Sequence, residues 1–413
     1  MKLCTTPRWL LAGILSLAAC TPAPRPQQEF PADARVAGLD AAVSPDAAAE
    51  PADSGAAEVD AGQPDAGQPD AGPPDSGCAP YTHPSEGGCA MGLSWQDLPA
   101  GPPPRDHHVT FLKPNADNAT LYVSGGLDEH ARAVRQDLWY TQLSPSGEFE
   151  AWTRGPRPPI VQLGSAVTVS GERAYVVAGR TLKSDGRVAD NDVVYSLGLG
   201  ADGSPGQWRL EQPLPAARFH GSAETIDRFI FAIGGIETQP GLASSYVWRA
   251  EILPEGVLSE WTEVTPLPEG RSHHSSFIHG RTLFVLGGLD GSGVGFPSRT
   301  YLDYLWADIA EDGTLSDWTR VSLPFGASTQ SAIVLGDRVV LLGGFDDTIN
   351  VVDTVRAAPI TGPVLGAWET LTPLPFARAH VHHTPSWRGH VYSVGGNVGD
   401  HAAVDRVVGG LFE

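Results

Sequence analysis

From residue 91 onward, short apolar runs alternate with turns rich in Gly, Pro, Asp and Ser, and the alternation recurs with a long period. Runs ending on a pair of small residues are Tyr122-Val123-Ser124-Gly125-Gly126, Val176-Val177-Ala178-Gly179, Ala232-Ile233-Gly234-Gly235, Val285-Leu286-Gly287-Gly288, Leu341-Leu342-Gly343-Gly344 and Ser393-Val394-Gly395-Gly396. They stand 53, 56, 53, 56 and 52 residues apart. Interleaved with them are Trp95, Trp152, Trp208, Trp261, Trp318 and Trp368, spaced by 57, 56, 53, 57 and 50 residues. Each tryptophan except Trp368 follows a Gly-centred turn, as in Asp312-Gly313-Thr314-Leu315-Ser316-Asp317-Trp318. A period of this length marks a repeated supersecondary unit. In each unit about four short alternating segments fit between turn signals; in the third they are 220–226, 229–234, 245–252 and 259–264. Such strands predict an all-β chain of four-stranded blades, each too thin to bury its own faces and therefore packed radially against its neighbours. The glycines let the second strand pack tightly and then turn. The tryptophans are large apolar plugs between blades.

Ring closure is also readable. Beyond Gly396 there is room for one more strand, around 404–411, and no tryptophan follows. Leu93-Ser94-Trp95-Gln96-Asp97-Leu98 would supply the missing outer strand, so the sixth blade is expected to draw on both ends of the domain. The diglycine, a later aromatic (Tyr140, Tyr195, Trp248, Trp306), the Gly-x-Leu-x-x-Trp-like turns and Leu-Pro-x-x-Arg together resemble the kelch repeat. The resemblance covers residues 91–413, six times over, and implies a six-bladed kelch-type β-propeller. Blade two departs from it with Ala178-Gly179. Blade five lacks both the aromatic before Trp368 and an Arg where its inner strand should begin.

Candidate chemistry falls at one mouth of this ring. Arg105, Arg218, Arg271 and Arg378 open the inner strands of blades one, three, four and six, with His107, His220, His273 and His380 two residues further on. Strand alternation would place each Arg and His on one face. Acids follow the glycines at Asp128, Glu237, Asp290 and Asp346-Asp347. Such a ring suits an anionic or sugar-like ligand. A recurrence in unit after unit is also what a packing rule produces, and kelch repeats in general carry an Arg and a His here. The structural reading is therefore favoured and the ligand-face reading kept beside it. Three bunched histidines, His380, His382 and His383, do not complete a metal shell, and no metal or cofactor is expected.

Enzyme chemistry finds little support. Copper radical oxidases built on kelch blades need a Tyr–Cys crosslink, and the blades here contain no cysteine. The turn from Asp312 to Trp318 is one residue too long for a sialidase Asp box and lacks its Thr. Nucleophile elbow, phosphate loop and dinucleotide fingerprint are all missing. The rival that survives is a kelch mutarotase acting on sialic acid, because ring opening needs only a placed acid and base.

The first ninety residues change the picture of where the propeller works. Lys2 and Arg8 flank a short apolar run, Leu10-Leu11-Ala12-Gly13-Ile14-Leu15, which ends at Leu17-Ala18-Ala19-Cys20. Residues 1–19 read as an export signal. Leu-Ala-Ala-Cys resembles the bacterial lipobox, which implies lipidation (palmitate among the acyl chains) at Cys20 and membrane attachment without a spanning helix. Thr21, in place of an Asp, points to the outer membrane, with the face left open. Residues 21–77 are mostly Ala, Pro, Asp, Gly, Gln and Ser, including repeats of Asp60-Ala-Gly-Gln-Pro, and carry a net charge of −9. So little apolar surface predicts a disordered, extended tether. Cys78 and Cys89 are the remaining cysteines of the exported chain, and a disulfide between them would close a small loop before the propeller. Of the total charge of −21, residues 78–413 hold −14, which excludes nucleic acid and anionic lipid as partners of that domain. The sequence thus leads to a monomeric cell-envelope lipoprotein whose propeller binds a protein or glycan without catalysis.

Overall fold

The computed structural model describes residues 83–85 and 88–412, apart from 129–130, 132, 184–187, 238–241, 292–297, 382 and 400–401. The proposed signal, Cys20, the tether and Cys78 lie outside the described residues. Cys89 is described only as backbone of a two-stranded hairpin in which His83–Ser85 pairs with Gly88–Ala90.

Six antiparallel four-stranded blades form a propeller ring, and among the described residues the helical content is one turn at Pro254–Gly256. Blade three shows the plan: Ser222–Ile226 lines the axis, Phe229–Ile233 and Val247–Glu251 follow, and Thr262–Val264 lies outermost. Second strands are largely buried, wholly so in Ala119–Ser124 and Phe229–Ile233. Both of their faces meet neighbouring blades, so they read as continuous apolar runs rather than alternating ones. Six hydrophobic clusters result, one at each interface between adjacent blades. Blade two is the irregular one. Its second and third strands run on as Arg173–Leu182 and Val188–Leu199, with a bulge between Val177 and Gly179. Ala178 takes the left-handed conformation (φ 53°) that the first glycine holds elsewhere.

The ring closes as expected. Leu93–Leu98 is the outer strand of blade six and pairs with Val407–Phe412, Leu93 opposite Phe412 and Leu98 opposite Val407. The last strand starts three residues later than the pattern suggested, because Val404 bridges Arg105 of blade one instead. Trp95 lies across Gly410, where an added Cβ would come within 2.7 Å of its ring.

The tryptophans do more than fill space. Indole Nε1 donates to a backbone carbonyl at the start of the same repeat: Trp208 to Pro156 (2.9 Å), Trp261 to Gln212 (2.9 Å), Trp318 to Thr265 (3.0 Å) and Trp95 to Thr372 (3.0 Å). Gly-centred turns that precede tryptophans dock on a tyrosine of the preceding blade at three interfaces. Tyr175 Oη donates to the Gly256 carbonyl at 2.8 Å, Tyr392 Oη to that of Gly147 at 3.4 Å, and Tyr122 Oη to that of Gly203.

Candidate functional site

Six equivalent residues surround the axis where the chain approaches each inner strand: His107, Gly164, His220, His273, Thr329 and His380. All six are left-handed, with φ between 54° and 58°. Their backbones join blade to blade. Gly164 N donates to His107 O (2.8 Å), His220 N to Gly164 O (2.8 Å), His273 N to His220 O (2.9 Å), Thr329 N to His273 O (2.8 Å) and His107 N to His380 O (3.3 Å). Left-handed backbone costs a non-glycine residue about 1–2 kcal/mol, and here that strain is offset by the hydrogen-bonded ring it permits.

The four imidazoles fill the axis. His107 stacks on His380 with centroids 4.1 Å apart and His220 on His273 at 3.9 Å, while His107 meets His220 edge-on at 5.0 Å. Phe345 closes on His380 at 5.4 Å. Gly164 leaves the space they need, since a Cβ there would lie 2.9 Å from the His220 ring. One end of the central channel is therefore plugged with aromatic rings.

The arginines take a different position from the one strand alternation suggests. The inner strands begin after the histidines, at Val109, Ser222 and Ser275, so Arg and His precede the regular alternation and the left-handed turn separates them. Arg105, Arg218, Arg271 and Arg378 are 0%, 3%, 0% and 2% exposed. Nη1 of Arg105, Arg218 and Arg271 donates to the carbonyl of the first glycine of its own blade (Gly125, Gly234, Gly287) at 2.9, 2.8 and 3.0 Å. Arg378 Nη1 instead donates to Ser393 Oγ at 2.7 Å. Asp137 and Asp303 pair with Arg105 and Arg271 at 2.8 and 2.6 Å. The Arg218 guanidinium lies over the Trp248 ring, 3.5 Å from its centroid. Burial lowers all four guanidinium pKa values, that of Arg218 to about 10 and that of Arg378 to about 9. Meanwhile the second glycine's N–H crosses to the next blade, Gly235 to Arg271 O (2.8 Å), Gly344 to Arg378 O (2.8 Å) and Gly396 to Arg105 O (2.9 Å). Arg105 and Arg271 thus each bolt their own diglycine with the side chain and a neighbour's with the carbonyl, whereas Arg218 makes the first of these bonds and Arg378 the second.

The acids after the glycines shape their own loops. Asp346 accepts from Thr348 N, Thr348 Oγ1 and Asn350 N at 2.8–2.9 Å, Asp290 from Arg299 N at 2.7 Å and Asp128 from Ala131 N at 3.1 Å. On the same end, Asp106, His107 and His380 each bring one donor atom within 4.8 Å of the other two. His382 lies outside the described residues, and His383 stands in the channel wall, its pKa pushed down to about 4 by burial.

Beyond the plug the channel opens into a cavity of about 260 Å³ lined by the inner strands. Its lining includes Thr110, Thr168, Glu224, Ser276, His383 and Thr384. Glu224 accepts from Ser276 Oγ of the next blade at 2.6 Å, and burial pushes its pKa up to about 7 despite that bond. The repeat reading missed Glu224 because it occurs in one blade alone. The available signal was an acid at an axis-facing position of an otherwise weakly polar strand, Ser222-Ala223-Glu224-Thr225-Ile226.

No protein-family model matches the chain. It is 26% identical to human Kelch-like protein 38 over 245 residues, which is 59% of this chain and 36% of that protein. Rat Kelch-like protein 36 is 22% identical over 71% of this chain and 44% of its own length. Beta-scruin of Limulus polyphemus is 22% identical over 59% of this chain and 25% of its own. The chain therefore spans less than half the length of these relatives. The solved structure of YjhT superposes with a TM-score of 0.57 at 15% identity, covering 74% of this chain and 95% of YjhT. These likenesses agree with the blade count and strand order on a kelch-type propeller fold.

Proposed function

We propose that the propeller is a non-catalytic interaction module that binds a protein partner on the rim around the histidine plug. The observation behind this reading is a closed axis surrounded by exposed apolar side chains. Val188, Leu242, Ile349 and Val398 stand on the segments that follow the small-residue pair in blades two, three, five and six, and all four are exposed. Those segments pair with the residues just ahead of the axial ring, Leu163 with Arg180 and Ala379 with Asn397 among them, so they share its end of the molecule. A mouth filled by side chains and rimmed by apolar groups favours a broad macromolecular contact over a small ligand. Resemblance to kelch propellers, which mostly serve as interaction modules, points the same way. The relatives named as kelch proteins add to that support. In this reading the module is held at the outer membrane by lipid on Cys20 and lifted from it by residues 21–77.

Photo-crosslinking from the cell envelope tests the rim. Leu242→Asp with Ile349→Asp should abolish the crosslinked partner, while Val257→Asp with Val364→Asp, on the turns between third and fourth strands, should leave it. Equal crosslinking by both pairs would rule the rim out.

A carbohydrate-active reading of the mutarotase type has one observation in its favour, the Glu224 carboxyl in a hydroxyl-lined channel with a pKa near that of a general acid–base group. Anomer equilibration of sialic acids and aldoses, followed by NMR, would be accelerated by the wild type and not by Glu224→Gln. Unchanged equilibration with wild type would remove this reading.

A further inference from the structure

We infer that the histidine plug holds one divalent transition-metal ion, with Asp106, His107 and His380 as ligands and zinc the ion their donor set fits best. The three donor atoms already lie within 4.8 Å of one another, close enough that small side-chain rotations bring them to one centre. Two imidazoles and a carboxylate form a mixed nitrogen–oxygen set suited to a borderline-soft ion, whereas magnesium and calcium call for oxygen shells. Three protein ligands leave a fourth position, which His220 or water can occupy from the axis side.

Asp106 carries the argument furthest. Its side chain is fully buried. Oδ1 meets His107 Nδ1 at 2.7 Å and Oδ2 accepts from Asn397 Nδ2 at 3.1 Å. Among the described residues no arginine or lysine pairs with it. A carboxylate removed from water, with an amide and an imidazole as its side-chain partners, would be balanced by a bound dication. Asn397 then has the part of an outer-shell residue that orients a ligating carboxylate. Asn397 is in turn held by its own loop, its Oδ1 accepting from Gly399 N at 2.9 Å.

The location gives the ion a consequence. Asp106 and His107 belong to blade one, His380 and Asn397 to blade six. The site therefore bridges the seam where the ring closes, and metal there would tie the first blade to the last.

The test uses the full-length protein, stripped with a chelator and titrated with Zn²⁺ and, separately, Co²⁺. One Zn²⁺ should bind per chain in competition with a chelating indicator and raise the melting temperature, and Co²⁺ should give visible ligand-field absorption. His380→Ala and Asp106→Asn should weaken Zn²⁺ binding roughly tenfold or more. His279→Ala, at a surface histidine paired with Asp337, should bind as the wild type does. Stoichiometric binding that survives in both site variants, or is lost with His279→Ala, would overturn the assignment. Should the site variants fail to fold, the wild-type Co²⁺ spectrum decides, since its absence removes the site whatever the variants do.

Discussion

At the scale of single residues, the repeated polar groups divide into those that hold the fold and those that meet at the axis. Arg105 is the clearest bolt, buried, paired with Asp137 through both carboxylate oxygens and bonded to the Gly125 carbonyl. Arg105→Met is expected to lower stability by about 3–5 kcal/mol, because it strands that carboxylate and carbonyl. Thermal or urea unfolding checks this, and a loss below 1 kcal/mol would show that the guanidinium is dispensable. Glu224 and the buried histidines titrate in opposite senses. Burial raises Glu224 from 4.5 to about 7, so the folded chain holds a proton that the unfolded chain has lost. Its contribution is present below pH 4.5 and disappears as pH rises to 7, at most about 3 kcal/mol. Glu224→Gln should therefore raise the melting temperature at pH 8 and leave it unchanged near pH 4.5. A difference that is flat across this range would contradict the assignment. Burial lowers His273 and His274 from 6.5 to about 3 and His383 to about 4. Here the unfolded chain takes up protons first, so stability is lost in both proteins as pH falls below 6.5. The sequence displayed the arginines, histidines and loop acids by their spacing. It hid the left-handed turn at each histidine, a tertiary feature imposed by the axial ring, and that turn sends Arg and His to different surroundings. Non-repeated Glu224 and Asp106 were hidden for another reason: a repeat pattern highlights only what recurs.

Strands and turns were far more readable, because burial on both faces leaves a continuous apolar run and the Gly-centred turns at Gly147, Gly203, Gly256 and Asp312-Gly313 have docking partners on the preceding blade. Blade two shows where that legibility ends. Ala178 in place of glycine signalled a departure, while the extension to Arg173–Leu182 and Val188–Leu199 depends on partners within the hairpin that spacing does not reveal. Most telling is the strand Leu93–Leu98. It is adjacent in sequence to blade one yet completes blade six, and its Trp95 indole is bonded to Thr372 at the blade-five boundary. Removing residues 1–98 should leave Val407–Phe412 as an open edge and expose Val391, Phe412 and their blade-five contacts in the shared cluster. Removing residues 1–77 alone keeps the strand and should leave the transition unchanged. Equal melting of the two truncations would deny the strand its closing role.

For the molecule as a whole, closure and tethering make opposite demands on the same end of the chain. A propeller whose last blade borrows its outer strand from the N-terminal side must have that segment ordered, and the six inter-blade clusters show how much apolar surface depends on an unbroken ring. The proposed tether must remain free of that ring so that the rim can reach a partner at a distance from the membrane. Composition separates the two requirements sharply: residues 21–77 hold a net charge of −9 and little to bury, and an apolar strand begins at Leu93. If residues 21–77 serve as the proposed linker, their like charge with residues 78–413, which carry −14, would favour extension over collapse onto the blades. If lipid on Cys20 is the sole attachment, Cys20→Ser should move the protein wholly to the soluble fraction, with its melting temperature unchanged. Replacing residues 21–77 by a five-residue linker should keep the protein on the membrane and folded, but weaken crosslinking of the rim to its partner. Membrane association in Cys20→Ser would refute the anchor. Full crosslinking with the shortened linker would show that the partner lies at the membrane itself, and that reach is not what the tether provides.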